Sequence, residues 1–430
     1  MKTVLMVAPY FIPRRRVGSL RPFKFAKHLM NLGWNVKILT IGTSSDELTD
    51  REKEALKNVE IIPVTPPFDR TASSSKSNKK KSSSKSFFDK IGEWVDKHTP
   101  ADTWIYLFLM RYFQILKKVK AAKPDIIWCT GDPWSGLWLG DKIAKNLNVP
   151  LVADFRDPWT LTSVNLRNRS DFSRNMDQKM EKKIIQNADR VIFTSKAAQE
   201  AYKSYYSLTD SKTDTIYNSF DSTVQNQKEE SGWDGKLDKS KLNILFFGQF
   251  RRLSPAKPMA DILRVLKKKS TNAFEHIQIN SFGEMIPEEK KYIMDAGLES
   301  SFTEHEKVLP ELSKTVLNKA DLLLVSTHEK REHIIPAKLW EYLSIEKPIL
   351  SITPNSEIGE ILKRSGAGVH FHPKEKNKVA DFLIQAVENK NSGKPIVSIT
   401  DVTQSGRNEY DASATAGQLA NILESLVKDE

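Results

Sequence analysis

With one cysteine in 430 residues, Cys129, the chain has no partner for an internal disulfide and suits a reducing cytoplasm. That residue closes the apolar run Asp125–Cys129, where it reads as a small core side chain and not as a nucleophile. No apolar run approaches the ~20 residues that a membrane-crossing helix needs. Met1–Ala8 passes directly into Pro9 and an arginine cluster, with no small-residue cleavage site, so it reads as a first strand and not as a secretory leader. The eight histidines form no His-x-x-x-His pattern and no Asp-x-Asp appears, so no bound metal is expected. Acidic residues are also short, 54 against 66 basic ones, for a formal net charge of +12.

Much of that excess sits in Lys76–Lys85 (KSNKKKSSSK), a Lys/Ser-rich run with too few apolar residues to offset its ordering entropy. It predicts a mobile loop over about residues 71–86. No nucleic-acid motif accompanies it, and aromatics do not interleave with its lysines, so nucleic acid is not an expected partner. An anionic membrane surface is a better match, because Trp104–Phe113 (WIYLFLMRYF) follows. That segment is apolar nearly all round. It reads either as a buried or interface helix, or as a peripheral anchor acting with lysines worth ~1 kcal/mol each near anionic lipid.

The length exceeds one ordinary core and predicts two domains of about 200 residues. Strand and helix alternate in both halves, which predicts an α/β chain of doubly wound sheets. Strands are expected at Thr3–Ala8, Asn35–Ile41, Asp125–Cys129, Leu151–Phe155 and Arg190–Thr194. Further on, Asn243–Phe247, His276–Phe282, Asp321–Thr327, Pro348–Ile352 and Gly368–Phe371 read the same way. Ser19–Leu32 reads as the first helix, its apolar residues on one side and Gly33 ending it. The polar stretch after Tyr217–Asp221 reads as the domain connection, giving domains at 1–221 and 222–405 and a terminal helical segment at 406–430.

The most informative run is His333–Leu350 (HIIPAKLWEYLSIEKPIL), with one carboxylate, Glu341, on a short helix between two strands. Pro336 suits a first helical residue, since its missing N–H would be unpaired there. A helix beginning past a strand's C-terminal end lies where open parallel sheets bind ligands. A carboxylate there can accept two hydrogen bonds from a sugar diol. An ordinary surface pair of Glu341 with Lys338, three residues apart, is the competing account.

Pro336, Lys338, Leu339, Trp340, Glu341, Tyr342, Leu343 and then Lys347-Pro348-Ile349 resemble the nucleotide-binding signature of retaining glycosyltransferases of the GT-B fold, family 4 in particular. Ala188–Ile192 and Tyr217–Asp221 resemble that family's Ala-Asp-x-Val-Ile strand and its hinge, with Ser219 in place of the usual Gly. The resemblance spans almost the whole chain. It implies two Rossmann-like domains facing a central cleft, the first for the acceptor and the second for the nucleotide sugar. The last helix would cross back to the first domain. It further implies that Glu341 holds the ribose hydroxyls of a UDP- or GDP-sugar. His333 stands where the family has a second Glu near the transferred sugar; Glu332 is one position out of register.

Sugar transfer needs positive charge for the departing diphosphate, and fixed cations act best where charge develops. After the strand ending at Gly248, family members place an Arg and a Lys on the phosphates, which implies Arg252 and Lys257, with Arg251 the alternative to the first; Lys338 joins this donor group. Gly18, in Pro13–Arg21, would let backbone approach the phosphates or the acceptor. Asp154, Arg156 and Asp157, in an Asp-Phe-Arg-Asp-Pro-Trp run that resembles one shared by a branch of the family, are implied at the sugar or acceptor, with Asp132 and Trp134 beside them. A structural ion pair within that run is the plainer account. The expected activity is a hexosyltransferase-like enzyme acting with retention on a glycan or lipid-linked precursor in cell-surface polysaccharide biosynthesis, without cofactor or metal. The expected location is cytoplasmic, at the inner face of the membrane. The competing readings are a nucleotide-sugar epimerase and a catalytically inactive GT-B-like binding module.

Overall fold

The computed structural model describes residues 1–14, 16–42, 48–66, 87–161, 169–224, 233, 237–309, 312–328, 330–345, 347–397 and 404–427. The predicted loop at 71–86 lies outside the described residues. The chain forms two compact units, one of Met1–Tyr217 with Thr415–Glu430 and one of Asn218–Ala414. Residues 406–414, expected with the terminal helix, fall in the second unit.

The first unit holds seven strands: β1 (Thr3–Val7), β2 (Asn35–Ile41), β3 (Glu60–Val64), β4 (Ile126–Gly131), β5 (Leu151–Phe155), β6 (Arg190–Phe193) and β7 (Thr213–Thr215). All pair in parallel, in the order β3-β2-β1-β4-β5-β6-β7. Central strands covered by helices on both faces must be apolar throughout. Accordingly every residue of β1, β4 and β5 is buried. On one face, Val4, Met6, Val36, Ile38 and Trp128 pack with Ala416, Leu419, Ala420 and Leu423. The Ala412–Leu426 helix thereby returns to the first unit.

The second unit holds six parallel strands: β8 (Leu242–Phe246), β9 (Ile277–Phe282), β10 (Phe302–His305), β11 (Leu322–Ser326), β12 (Ile349–Ile352) and β13 (Gly368–Phe371). Their order is β10-β9-β8-β11-β12-β13. Both sheets reverse winding direction once, between β1 and β4 and between β8 and β11. Connections from those neighbouring strands leave to opposite sides, opening a crevice at the strands' C-terminal ends. Those two crevices are where each unit's site is to be sought.

The connecting chain is pinned within each unit. In the first, the Arg21 guanidinium donates to the Tyr217 carbonyl at 2.9 Å. In the second, Phe220 N–H donates to Tyr410 O, Ala412 N–H donates to Phe220 O, and Ser222 N–H donates to the Asp411 carboxylate at 3.0 Å.

Candidate active site

In the second unit, the loops that follow β8 and β11 are tied together at the switch point. His328 N–H donates to Leu253 O at 3.1 Å, and Ser326 Oγ donates to Pro255 O at 3.2 Å. Beyond β11 the chain forms the short Ala337–Leu343 helix, which buries Leu339, Trp340, Tyr342 and Leu343. Pro336 is not its first helical residue as expected; it stands at the N-cap with extended backbone (ψ 139°), just outside. Fixed φ suits that position equally well, and the missing N–H costs nothing there. Tyr342 is fully buried, and its hydroxyl accepts the Phe247 N–H at 2.9 Å. That bond locks the helix to the end of β8.

On the helix's other side, Lys338 and Glu341 stand three residues apart. The Lys338 ammonium lies 5.3 Å from the centre of the Phe247 ring. It also lies against Gly248, where an added Cβ would come 2.8 Å from Lys338 Cε and 3.0 Å from Nζ. Gly248 has φ +150°, a conformation open to glycine and strained for other residues. Burial pushes the Lys338 pKa down; the Glu341 carboxylate acts to raise it, and the Arg251 guanidinium lowers it further. Two cations are therefore held within range of each other beside a single carboxylate, among the described residues, at a strand-end crevice. An anion is the complement of that arrangement.

Gly248, Lys338 and Glu341 thus come together. Arg251 and Arg252 are both exposed, and the charge of Arg251 is the one that acts on Lys338. Lys257 is not brought to this group. It opens the Lys257–Lys269 helix, donates to Tyr292 Oη at 2.8 Å and pairs with Asp261 at 3.5 Å. His333 sits half-buried in the loop that leads to the Ala337–Leu343 helix.

In the first unit, Gly18 lies in the opening turn of the Val17–Asn31 helix, beyond β1. A Cβ there would meet Arg156 Nη1 at 2.0 Å and Asp132 O at 3.5 Å, so the guanidinium lies across the helix start. Arg156 Nε pairs with Asp157 Oδ2 at 3.2 Å, and its carbonyl accepts Thr194 Oγ at 2.6 Å. The Asp157 side chain keeps 39% of its surface exposed. The ends of β1, β4 and β5 therefore gather Gly18, Asp132, Arg156 and Asp157.

Asp154 does not join them. Its side chain is fully buried and takes Arg21 through Nε and Nη2, each at 2.9 Å. Burial raises its pKa, while the charges of Arg21 and Arg156 and a hydrogen bond from Trp128 oppose the rise. Since Arg21 also holds Tyr217 O, this pair anchors the chain where it leaves the first unit. Alternation along β5 turns Asp154 inward, whereas Asp157 stands past the strand's end.

Two buried carboxylates behind these loops escaped sequence reading. Asp102 accepts Ser135 N–H at 2.9 Å, Ser135 Oγ at 2.7 Å and Trp104 N–H at 3.0 Å, which fixes the loop after β4. Glu181 accepts Thr160 N–H at 3.1 Å and the hydroxyls of Thr160, Tyr202 and Tyr206 (2.7 Å for the last). Tyr202 Oη in turn accepts Trp159 N–H at 2.8 Å. Trp159 stacks on Trp134 with ring centres 5.3 Å apart and planes within 3°. No local motif marks either carboxylate, because each partner comes from a distant segment. Cys129 is fully buried and its thiol pKa is pushed well up by burial, as befits a core residue. Among the described residues no three His, Cys, Asp or Glu side chains converge as metal ligands would.

Two all-parallel sheets, each with one switch-point crevice, define the class of fold: this is the GT-B architecture. Residues 23–224 match the family described as Glycosyltransferase Family 4, and that stretch is such a domain. No curated protein matches the sequence. Among solved structures, Anabaena Alr3699/HepE in complex with UDP shares 14% identity at a TM-score of 0.63, covering 99% of this chain and 100% of that one. Sucrose-phosphate synthase from Thermosynechococcus elongatus shares 13% at 0.63, covering 99% of each chain. A glycosyltransferase from Rickettsia africae shares 14% at 0.61, covering 100% of this chain and 99% of that one. At these identities the likeness concerns the fold.

Proposed function

We propose that this enzyme moves a sugar from a nucleoside diphosphate sugar, UDP- or GDP-linked, to a glycan or lipid-linked glycan precursor, with retention of configuration, in cell-surface polysaccharide biosynthesis. The observation that carries the donor assignment is the Lys338–Arg251 pair beside Gly248, two cations facing one carboxylate. A departing diphosphate gains negative charge as the glycosidic bond breaks, and pre-placed cations stabilise that charge without reorganising. Glu341, on the same helix as Lys338, takes the ribose hydroxyls. His333 takes the place of the family's second Glu at the sugar. In the first unit, Arg156 and Asp157 contact the sugar or acceptor, and the bare backbone of Gly18 lets them lie close to the helix start. Retention follows from front-face attack, in which the leaving phosphate accepts the acceptor's proton. The Anabaena relative was solved with UDP-glucose as well as UDP, which supports a nucleotide-sugar donor here.

A UDP-N-acetylglucosamine 2-epimerase from Listeria monocytogenes has the related fold at a TM-score of 0.51 and 12% identity, so epimerisation is the second reading. Purified protein incubated with a panel of UDP- and GDP-sugars separates the two. Slow release of nucleoside diphosphate without acceptor, abolished in Glu341→Ala, supports transfer. Recovery of an epimerised nucleotide sugar overturns it. Failure to bind any nucleotide overturns both.

A further inference from the structure

The Trp104–Ala122 helix buries Ile105, Leu107, Phe108, Ile115, Leu116, Val119 and Ala122 against the first unit's core. Its other side is not covered by any described residue. Tyr106, Leu109, Met110 and Phe113 are 49%, 53%, 64% and 84% exposed. Their spacing of three, four and seven residues puts them in one outward stripe about 10 Å long. Single exposed apolar residues are ordinary, but a contiguous stripe marks a surface that something covers. The preceding Phe87–His98 helix adds exposed Ile91 and Trp94, the latter stacked on His98.

Charge identifies the occupant. From Trp104 to Lys123 the sequence has no Asp or Glu, and carries Arg111, Lys117, Lys118, Lys120 and Lys123. Lys117, Lys118 and Lys120 are exposed. At the helix's other end, the Trp104 ring lies 5.5 Å beneath the Arg14 guanidinium and its Nε1 donates to Tyr10 Oη at 3.2 Å. Arg16 lies 4.7 Å over the Tyr10 ring. Basic groups thus bracket the apolar stripe at both ends, with Tyr106 and Trp94 as amphipathic edges. A second copy of the Trp104–Ala122 helix would offer the lysines no carboxylate, since an isologous contact pairs a surface with itself; the exposed carboxylates beside it, Glu93 and Asp96, stand on the preceding helix. A bilayer of anionic lipid supplies an acyl boundary for the stripe and phosphates for the flanks.

We propose that this face is a membrane-docking surface. Leu109, Met110 and Phe113 enter the headgroup–acyl boundary of an anionic bilayer, while Arg111, Lys117, Lys118 and Lys120 engage the lipid phosphates. The surface itself does not depend on the donor reading.

The test is flotation of the full chain with vesicles of phosphatidylcholine alone or mixed with phosphatidylglycerol. Binding is expected to the mixed vesicles, weakening at least about tenfold as salt rises from about 0.1 M to about 0.5 M. Leu109→Glu/Phe113→Glu should lower partitioning by about tenfold or more while UDP binding is retained as a check on folding. Lys267→Gln/Lys268→Gln, exposed in the second unit, lowers net charge by the same amount and should have little effect. Equal loss from both double variants would reduce the effect to net charge and overturn the docking surface. Wild-type protein that fails to float with the mixed vesicles overturns it too. So does self-association in solution that Leu109→Glu/Phe113→Glu abolishes, which would make a second copy the occupant.

Discussion

Gly248→Ala tests the donor assignment at its narrowest point. The new methyl would stand 2.8 Å from Lys338 Cε, closer than non-bonded carbons approach, so the lysine must leave its place over Phe247. The φ of +150° adds backbone strain of ~1–3 kcal/mol for a residue with a Cβ. Loss of a charge-assisted contact to the diphosphate adds ~1.5–3 kcal/mol to binding alone, or about 10- to 150-fold in the dissociation constant. The two effects separate experimentally. Calorimetric titration with UDP reads the second, and urea denaturation without ligand reads the first. Lys338→Met supplies the control. It removes the charge without touching the backbone, and because the ammonium is desolvated, it should leave stability unchanged or slightly raised. Combined, the substitutions should cost no more affinity than the larger single loss, since both remove one contact. UDP binding by Lys338→Met at wild-type strength would refute the reasoning, whatever Gly248→Ala does to stability.

Other outcomes follow from the same geometry. Asp154→Asn should destabilise by ~3–5 kcal/mol in denaturant titration, because Arg21 is left charged and buried, whereas Asp157→Asn should spare stability and lower kcat; the reverse pattern would restore Asp154 to the chemistry. Tyr202→Phe should cost ~1–3 kcal/mol, since Trp159 N–H and Glu181 each lose a buried partner, and an unchanged denaturation midpoint would count against that network. His305 and His370 have pKa values lowered by burial. Their contribution to stability is full above the unfolded value of about 6.5 and is lost as pH falls through it toward the lowered folded values. His305→Gln/His370→Gln should therefore flatten the acid limb of a stability–pH profile; a limb as steep as wild type would exclude these two groups as its source. Inorganic pyrophosphate should raise Tm and uridine should do so much less, because the unbalanced charge at Lys338 and Arg251 calls for the phosphates; the opposite order would place the dominant contact at the nucleoside.

The strands that composition announces are the central ones. β1, β4, β5, β8, β9, β11 and β12 are covered on both faces, so nothing but apolar runs could fill most of them, and such runs are visible without a partner. The strands that escape are β3, β7 and β10, all at sheet edges. Pro63 interrupts β3, where a missing N–H is tolerated because one side has no neighbour. The residues Thr-Asp-Thr of β7 and Phe-Thr-Glu-His of β10 have too little apolar area to stand out. The site divides on similar lines. That Glu341, Lys338 and Gly248 come together was legible because one short segment and one glycine carry them. Lys257 stands apart from them here, because position along a loop does not say which way a long side chain turns, and Tyr292 and Asp261 hold it. Asp154 and Asp157 look alike in sequence; the partner that distinguishes them, Arg21, is 133 residues away.

The two units solve different electrostatic problems with the same architecture. In the first, the crevice beyond β1, β4 and β5 holds Arg156 against Asp157, a pair near neutrality with the carboxylate partly open to solvent. Such a pair can turn toward neutral sugar hydroxyls, donating from one member and accepting with the other, without a charged ligand to complete it. In the second, Lys338 is half-buried within range of Arg251, with Glu341 the carboxylate that acts on it among the described residues. Folding tolerates that cost because Tyr342 and the apolar side of its helix hold the segment in place regardless. The strain is thus borne by packing and relieved by an anion. On the donor assignment proposed above, a crevice whose cations repel one another would bind a diphosphate most strongly when its charge is greatest, which is as the sugar leaves.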